Sequence, residues 1–323
     1  MTQKTIGRAV YLSLGTPHLE YPEVEKALKA YGVDAQMVHL DEIDRHDLDT
    51  FDLVNLRMCR GYHKFPDFMQ RIEKLHHDLE RLPGGRTRLV NNIALVRDAA
   101  DKGRYLRRLE EDGVELIPTR WLSRGSATTV DAIMRETGWD DLVIKPTVSS
   151  GSWQTVRVSR EECSTSDSHF ILPRDAEAVA CRLEALLLTR DVCVQQFFPS
   201  VIGFGELSFV FLGGEFSHAV RKTVGSDGGW WAHERLGGVN YTWLPDAREL
   251  EWATDIHRLL VERYGWLWFG RVDGIRDRQG QLRLLECELA IPRLLLPEGG
   301  AFDRYAQAVS EGIRRHSQAR TAV

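Results

Sequence analysis

The stretch GRVDGIRDRQGQLRLLECELAIP at residues 270–292 predicts a β-hairpin with charge on one face. Gln279 and Gly280 separate two apolar segments and predict a tight turn. Side chains alternate across a strand, so Glu286 and Glu288 fall on the same face. The opposite face takes Leu285, Cys287 and Leu289. Two like charges side by side on so apolar a strand need a physical explanation.

The turn also predicts the register of the hairpin. Its facing pairs are Arg271 with Glu288, Asp273 with Glu286 and Gly274 with Leu285. Facing Cβ atoms lie about 5 Å apart, and two carboxylates at that distance repel by roughly 3 kcal/mol. Because one guanidinium offsets three acids only in part, the cluster predicts a cation bound by Asp273, Glu286 and Glu288. All-oxygen ligands favour Mg²⁺ or Mn²⁺ over zinc.

A simpler interpretation of the two glutamates stays open. They could form the solvated face of an amphipathic strand, with Arg271 as a surface ion-pair partner. An isolated E-x-E motif favours that interpretation, whereas the R-x-D motif in the facing strand favours a metal site.

A phosphate-binding loop is predicted after the apolar strand at residues 141–147. Lys145 lies near the end of this strand, where a buried ammonium group requires a partner. The loop that follows is rich in Ser and Gly, so its backbone N–H groups and hydroxyls suit phosphate oxygens. Its residues that would approach phosphate are Ser149, Ser150, Gly151, Ser152 and Thr155. Lys102, near the start of a predicted helix, is a second cation, although a solvated surface lysine explains it as well.

The familiar nucleotide-binding motifs are absent from the sequence. It has no G-x-x-x-x-G-K-[ST] loop and no H-R-D or D-F-G kinase motif. The segment GFGELS lacks the third glycine of a dinucleotide fingerprint. A phosphate site in this chain therefore requires another scaffold.

The composition is that of an ordinary globular protein, with 43% hydrophobic and 28% charged residues in a chain of 323. That length suits two or three packed units. A net charge of −5 argues against a nucleic-acid partner. The five scattered cysteines predict reduced thiols rather than disulfides or a zinc site. No apolar segment suits a membrane span or a signal peptide, so a cytoplasmic protein is expected.

Strands and helices alternate up to residue 90 and predict a parallel α/β sheet, with a boundary at the Pro-Gly-Gly of residues 83–85. One helix is predicted over residues 97–113. Later strands predict antiparallel pairing, with a hairpin turn at Gly213 and Gly214. Residues 160–170 are polar and turn-like. The Gly- and Trp-rich stretch at 223–243 is predicted to be an irregular, functional loop.

From about residue 52 to the C-terminus these segments resemble the ATP-grasp superfamily of carboxylate–amine ligases. Residues 91–119 are similar to its first-lysine segment and residues 142–155 to its second-lysine strand and loop. Residues 194–222 are similar to its adenine hinge and the hairpin that follows, and residues 270–292 to its metal-binding end. Within the superfamily, the chain looks most like the bacterial subgroup that contains a cycloserine-forming cyclo-ligase.

The resemblance implies an α/β (α+β) ATP-grasp fold in three parts. These are an N-terminal pre-ATP-grasp domain at 1–88, a small or lid subdomain at 89–190 and a C-terminal subdomain with the metal site at 191–323. The nucleotide would bind between the last two. A homodimer, common in the superfamily, is also expected.

The resemblance also implies roles for individual residues. Lys102 and Lys145 would contact the nucleotide phosphates, Gln195, Gln196 and Phe197 would read adenine through the backbone, and Glu206 would hold the ribose. Lys222 would approach the γ-phosphate, Arg271 would hold the acyl phosphate, and Asp273, Glu286 and Glu288 would bind two Mg²⁺ or Mn²⁺ ions. Substrate ligands would come from Arg57, Tyr62, His63, His218 and Trp230.

The implied reaction is activation of a small-molecule carboxylate by ATP as an acyl phosphate, followed by coupling to an amine or amide nitrogen. The coupling could occur between molecules or within one, in specialised metabolism. Two alternatives stay open: a kinase that stops at the phosphorylated product, and a non-catalytic nucleotide-binding module.

Overall fold

The computed structural model describes residues 5–85, 87–159, 176–225, 229–232, 234 and 237–321. The segment predicted to be turn-like at 160–170 lies outside these ranges. The strands are β1 (Gly7–Ser13), β2 (Val33–His39), β3 (Leu53–Asn55), β4 (Arg88–Val90), β5 (Thr119–Leu122), β6 (Asp141–Pro146), β7 (Val156–Ser159), β8 (Val192–Gln196), β9 (Glu206–Leu212), β10 (Glu215–Thr223), β11 (Val239–Trp243), β12 (Phe269–Arg276) and β13 (Leu282–Glu288). The α-helices are α1 (Tyr21–Ala30), α2 (Phe68–Glu80), α3 (Ile93–Ala99), α4 (Lys102–Glu111), α5 (Val130–Thr137), α6 (Ala176–Thr189), α7 (Ser200–Gly203), α8 (Ala247–Tyr264) and α9 (Ala301–Thr321). In this described part, no helix is long and apolar enough to cross a membrane.

The first sheet is parallel, in the order β2-β1-β3-β4, which confirms the predicted α/β start. Helix α2 packs on it because Phe68, Ile72, Leu75 and Leu79 recur at helical spacing and are buried. The C-terminal helix α9 returns to this sheet and packs against α1. Within that contact, the Tyr11 and Tyr305 hydroxyls lie 2.7 Å apart.

The second sheet is antiparallel, in the order β5-β8-β6-β7. Helices α5 and α6 cover it and share its apolar core. Strand β8 belongs to this sheet, although it lies just beyond the predicted boundary at residue 190. The division of the chain into three domains stays a prediction.

The third sheet has the order β11-β10-β9-β12-β13 and is antiparallel throughout. The predicted turn between β9 and β10 is confirmed: Leu212 faces Glu215, and Gly213 and Gly214 have φ angles of 63° and 92°. Both φ values lie in the left-handed region that glycine tolerates. Strand β11 was not predicted, because its residues lie in the stretch expected to be irregular.

The single helix predicted over 97–113 is wrong. The chain forms α3 and α4 instead, and the Asp101 side chain between them accepts a hydrogen bond from the Gly103 N–H at 2.8 Å. Asp101 is thus the N-cap of a new helix. This break puts Lys102 at the first position of α4.

A buried asparagine ties the first sheet to the hairpin of β12 and β13. The Asn91 Nδ2 donates to the carbonyls of Phe269 at 2.9 Å and Leu289 at 2.8 Å. Its Oδ1 accepts from the Trp268 N–H at 3.0 Å. Asn91 is 1% exposed, so these three bonds satisfy a side chain that water cannot reach.

The predicted register of the hairpin is right at the charged pairs and wrong beyond them. Arg271 faces Glu288 and Asp273 faces Glu286, but Gly274 faces Leu284 rather than Leu285. Leu285 is therefore the extra residue of a β-bulge, which turns its side chain away from Cys287 and toward Ile275 and Phe197. The predicted two-residue turn at Gln279 and Gly280 is also wrong, because the Asp277 N–H donates to the Gln281 carbonyl and leaves three residues in the turn.

Two neighbours fix this bulge. A Cβ on Gly274 would lie 2.5 Å from the Trp252 ring, so only glycine fits there. On the outer edge of β13, the Leu284 N–H donates to the Glu115 carbonyl at 2.9 Å, and the Ile117 N–H donates to the Leu284 carbonyl at 3.0 Å. These bonds hold Leu284 in the ladder and leave Leu285 outside it.

Candidate active site

A cavity of about 440 Å³ lies where the three sheets meet. Most residues predicted from the sequence to act in the site line it. These are Tyr62, His63, Lys102, Lys145, Ser149, Ser150, Gly151, Ser152, Thr155, Gln195, Gln196, Phe197, Glu206, Lys222, Trp230, Arg271, Glu286 and Glu288. The fold thus brings segments that are distant in sequence to one enclosed space.

Asp273 lies beneath the cavity wall and is 0% exposed. Its carboxylate accepts from the Arg271 Nε at 2.8 Å and Nη2 at 2.7 Å, and from the Lys222 Nζ at 3.1 Å. Burial alone would raise the pKa of Asp273, but Arg271 and Lys222 outweigh it and hold that pKa well below its usual range. Asp273 is therefore ionised.

Lys222 links this buried acid to the predicted ribose ligand. Its Nζ lies 2.8 Å from the Glu206 Oε2 on the facing strand. Burial lowers the pKa of Lys222, but the Asp273 and Glu206 carboxylates overcome this and raise it above its usual value. The ammonium group therefore stays charged within the wall.

Lys102 joins the serine-rich loop at residues 148–155 to the acidic strand β13, which carries Glu286 and Glu288. Its Nζ donates to the Ser149 carbonyl at 2.6 Å and lies 3.6 Å from the Glu286 Oε2. Burial raises the pKa of Glu286. The nearby cations, led by Lys102 and then Lys145, outweigh burial, so this pKa lies below its usual value. Both lysines thus act on the carboxylate that the sequence assigned to metal.

Glu288 has a different environment. Its Oε2 lies 3.0 Å from the Arg271 Nη1 and accepts from the Arg293 N–H at 2.9 Å. Burial raises its pKa and Arg271 lowers it, and with the repulsion of Glu286 and Asp273 the net shift is upward. Glu288 is the most easily protonated acid of the three.

The carboxylates around Asp273 are matched by nearby cations without a metal ion. Four cations (Lys102, Lys145, Lys222 and Arg271) accompany four carboxylates (Glu206, Asp273, Glu286 and Glu288). The sequence argument that one arginine faces three acids overlooked the lysines of α4, β6 and β10. In the part of the chain that the structure describes, no three His, Cys, Asp or Glu side chains converge closely enough to hold a metal ion.

One end of the cavity is apolar. Ile117, Phe197, Val201, Ala232 and Ile275 form its core, with Val143, Phe198, Val224, Trp230 and Leu285 packed around them. The Gln196 N–H donates to the Pro118 carbonyl at 3.0 Å and the Phe197 N–H to the Asp141 carbonyl at 2.9 Å. The N–H groups of Gln196 and Phe197 in the predicted hinge are thus occupied. The Phe198 N–H has no partner among the described residues.

Trp230 was expected to touch substrate, but it lies at this apolar end. Its ring packs edge-on against Phe197 at 6.1 Å and stacks on Trp231 at 3.7 Å. The position suits a flat base better than a polar substrate.

Two predicted substrate ligands do not line the cavity. The Arg57 guanidinium is fully buried, 2.9 Å from the Glu20 carboxylate and 4.8 Å above the Tyr305 ring. The His218 Nε2 donates to the Leu294 carbonyl at 2.9 Å. Both side chains therefore serve internal contacts.

The serine-rich loop contacts the N-terminal part of the chain across the cavity. The Ser150 Oγ lies 2.8 Å from the His63 Nδ1, and the His63 ring lies 4.8 Å from that of Trp153. Burial, with Lys64 and Lys102 nearby, lowers the pKa of His63 to about 4. The Ser149 hydroxyl is already bonded to the Pro146 carbonyl at 2.9 Å.

Sequence reasoning missed several residues of the cavity wall. Arg60 and Arg293 line it beyond Glu288, and Tyr105 lies behind the acidic strand, where its hydroxyl accepts the Cys287 N–H at 3.1 Å. Arg60 lies in the segment RMCRGYH, and its closeness in sequence to Tyr62 and His63 was an available signal. No local pattern marks Tyr105 or Arg293.

Comparison with known proteins agrees with this geometry. No family model matches the chain. A cycloserine biosynthesis protein of Streptomyces lavendulae is 28% identical over 310 residues, covering 91% of this chain and 94% of that protein. The crystal structure of a D-cycloserine synthetase superposes with a TM-score of 0.77 at 26% identity, over 95% of this chain and 100% of the other.

A more distant structure shows the same fold. The D-alanine–D-alanine ligase from Bacillus anthracis, crystallised with ATP, has a TM-score of 0.66 at 12% identity and covers 97% of this chain and 99% of that one. The predicted α/β (α+β) fold class is confirmed. With its cavity lined by lysines and carboxylates, the chain is an ATP-grasp carbon–nitrogen ligase related to the D-cycloserine synthetase.

Proposed function

We propose that the chain activates a small-molecule carboxylate with ATP as an acyl phosphate and couples it to an amine or amide nitrogen. The observation that carries the proposal is the order of surfaces along β13. Leu285 lies in the apolar end, Glu286 and Glu288 lie among the cations, and Arg293 lies at the polar end. A base, a triphosphate and a polar acid would fit this order in turn.

The nucleotide would lie with its base against Phe197 and Trp230. The Phe198 N–H, which has no partner in the described ranges of the chain, offers the adenine ring a donor and extends the predicted hinge by one residue. Glu206 would accept from the ribose hydroxyls, and Lys102 and Lys145 would contact the phosphates. Lys102 and Lys222 are paired with carboxylates of the cavity, so a triphosphate would compete with those acids for the ammonium groups.

Mg²⁺ usually binds one or two carboxylates together with phosphate oxygens, and Glu286 and Glu288 offer carboxylate oxygens at the cavity wall. Asp273 is engaged by Arg271 and Lys222, so it would need to exchange partners to serve as a ligand. When bound, the ion would offset the negative charge of the triphosphate. Lys222 would then be free to turn from Asp273 toward the γ-phosphate.

The chain's own cations would stabilise the charge that builds up in the reaction. The substrate carboxylate attacks the γ-phosphorus, an O–P bond forms, and ADP leaves. Arg271 would hold the acyl phosphate. The nitrogen then attacks the acyl carbon, expels inorganic phosphate and loses its proton. The loop at 148–155 would exclude water, which otherwise hydrolyses the intermediate.

The similarity to a D-cycloserine synthetase supports ring closure within one molecule as the first reaction to test. We further propose the three-part division at residues 88 and 190, a homodimer, and a cytoplasmic location.

A hydroxylamine trap tests the proposed reaction. With ATP, Mg²⁺ and a panel of amino acids that bear ureido or hydroxylamine groups, an acyl hydroxamate should form in step with ADP. Amine-independent ADP release with no hydroxamate would favour the kinase alternative. Bound ATP with no turnover would favour a binding module.

The metal assignment has its own test. Glu286→Gln and Glu288→Gln should each lower ADP formation by about 100-fold and remove the Mg²⁺ dependence of nucleotide binding by calorimetry. Glu110→Gln, on the exposed surface of α4, is the matched control. Unchanged turnover in both site variants would contradict the metal site.

A further inference from the structure

The cavity continues beyond the acidic strand to a wall with two arginines. Arg60 comes from the segment after β3, and Arg293 comes from the segment after β13. Neither is used by the nucleotide in the arrangement proposed above. The inference below rests on that proposed function and concerns the other molecule in the reaction.

Arg293 is fixed directly to the reacting centre. Its backbone N–H donates to the Glu288 Oε2 at 2.9 Å, and its carbonyl accepts from the Arg271 Nη1. Its guanidinium pairs with Glu234. A carboxylate held at Arg271 would therefore have the rest of its molecule next to Arg293.

Arg60 has unused donor capacity on the same side. Its Nη2 pairs with Glu20, which also faces the Arg57 guanidinium at 2.9 Å. Its Nε is buried and has no hydrogen-bond partner among the described residues. A guanidinium carries five N–H donors, and a buried donor without an acceptor costs about 1–3 kcal/mol.

Donors outnumber acceptors in this wall. Arg60 and Arg293 line the wall and Arg57 lies buried behind it, and these three guanidinium groups are paired with two carboxylates, Glu20 and Glu234. The Arg293 charge is close enough to lower the pKa of Arg60, together with the larger effect of burial. Two arginines that line one cavity and repel each other are stabilised by an anion bound to both.

We propose that Arg60 and Arg293 form a subsite for a second carboxylate, so that the acid this enzyme activates is a dicarboxylate or an acidic amino-acid derivative. One carboxylate of the substrate lies at Arg271 and is phosphorylated. The other lies between Arg60 and Arg293, is not consumed and sets the orientation of the molecule.

Matched acid and amide pairs test the subsite. The probes are glutamate with glutamine, aspartate with asparagine, and succinate with succinamate, each added to protein saturated with a non-hydrolysable ATP analogue and Mg²⁺. Within each pair the first carboxylate is constant and only the second group changes. Titration calorimetry should give at least one pair in which the acid binds about 10-fold tighter or more, as a charge-assisted hydrogen bond predicts.

Variants separate the subsite from general charge. Arg60→Gln and Arg293→Gln should remove the preference for the acid, and Arg60→Lys should recover only part of it because the planar fork is lost. Lys64→Gln removes one positive charge from the rim of the same cavity and should keep the preference. Thermal unfolding of each variant checks that it is folded.

Equal binding of acid and amide in every pair, or no binding by any acid, would overturn the subsite, as would a preference that survives Arg60→Gln. The nucleotide analogue is titrated in the same experiment. Failure of the analogue to bind would overturn the proposed ATP-dependent reaction, whereas normal analogue binding without acid preference overturns the subsite alone.

Discussion

At His63, the protonation state of one side chain affects a contact within the candidate active site. It packs on Trp153 and lies within hydrogen-bond distance of Ser150, so it joins the N-terminal part of the chain to the serine-rich loop. Burial keeps it neutral at physiological pH. A neutral imidazole can accept a hydrogen bond from the Ser150 hydroxyl, whereas a protonated one cannot.

This environment predicts a pH dependence. The pKa of His63 is about 4 in the folded chain, below the value near 6.5 expected when unfolded. The unfolded state therefore binds the proton first, and the free energy of unfolding should fall between about pH 6.5 and 4. His63→Gln should reduce that slope, by less than the limit of about 1.4 kcal/mol per pH unit because His63 is only partly buried.

Urea unfolding at several pH values measures the difference between the wild type and His63→Gln. The comparison is needed because His18 and His257 also have pKa values lowered to about 4 by burial. His77→Gln, at an exposed position of α2, is the control. The same slope in the His63 variant as in the wild type would contradict the prediction.

Strand β13 shows what element-scale patterns predict and what they do not. Alternation placed Glu286 and Glu288 on one face. Their predicted partners Asp273 and Arg271 are right because two departures cancel: the turn between Asp277 and Gln281 is one residue longer than predicted, and the bulge at Leu285 shifts the register back. The bulge at Leu285 escaped prediction because it depends on Trp252 and residues 115–117, which meet the hairpin only in the folded chain.

The break between α3 and α4 and the strand β11 were missed for a related reason. Asp101 is an N-cap inside a segment whose periodicity continues on both sides of it, so the pattern favoured one helix. Strand β11 is defined by its pairing with β10, and its sequence lies in a stretch rich in Gly and Trp.

A substitution at Tyr105 tests how helix α4 supports strand β13. Its hydroxyl accepts a hydrogen bond from the N–H of Cys287, the residue between the two glutamates. This bond ties α4 to the outer edge of β13. Tyr105→Phe should leave that buried N–H without an acceptor and lower the free energy of unfolding by about 1–2 kcal/mol. Hydrogen exchange should speed up at the Cys287 amide in particular.

Tyr264→Phe is a matched control, since its hydroxyl bonds the Asp98 carboxylate in a more exposed position. It should not change exchange at Cys287. Protection of that amide in Tyr105→Phe equal to the wild type would show that the hydroxyl does not hold the strand.

At the scale of the whole molecule, the site depends on three sheets meeting at one cavity. The lysines come from α4, β6 and β10, and the acids come from β9, β12 and β13. A sequence gives the identity of these residues through local motifs. It does not give their partners, which is why the predicted charge imbalance at Asp273 is absent once Lys222 is in place.

A substitution at Asn91 measures how much its hydrogen bonds contribute to joining the first sheet and the hairpin. Asn91→Asp has the same shape but replaces two N–H donors with a carboxylate oxygen, which would face the carbonyls of Phe269 and Leu289. We expect a loss of about 3 kcal/mol or more in the free energy of unfolding. Urea unfolding followed by tryptophan fluorescence measures it.

The neighbouring Asn92→Asp is a close control. Asn92 caps α3 by accepting the Leu95 N–H, a role that aspartate fills equally well, and it loses only the bond to the Tyr264 carbonyl. We expect a loss of about 1 kcal/mol. Equal losses in the two variants would mean that the Asn91 bonds do not join the two parts.

The extra residue at Leu285 separates the tip of the hairpin from its working end. On one side lies the turn at 277–281, and on the other lie the two glutamates. Residues added at the tip would lengthen an exposed loop without moving the carboxylates, whereas removal of one residue beside Leu285 would exchange the inward and outward faces of the tip. The tip is thus a suitable place to graft a tag or a fluorophore, whereas the length of the bulge cannot vary.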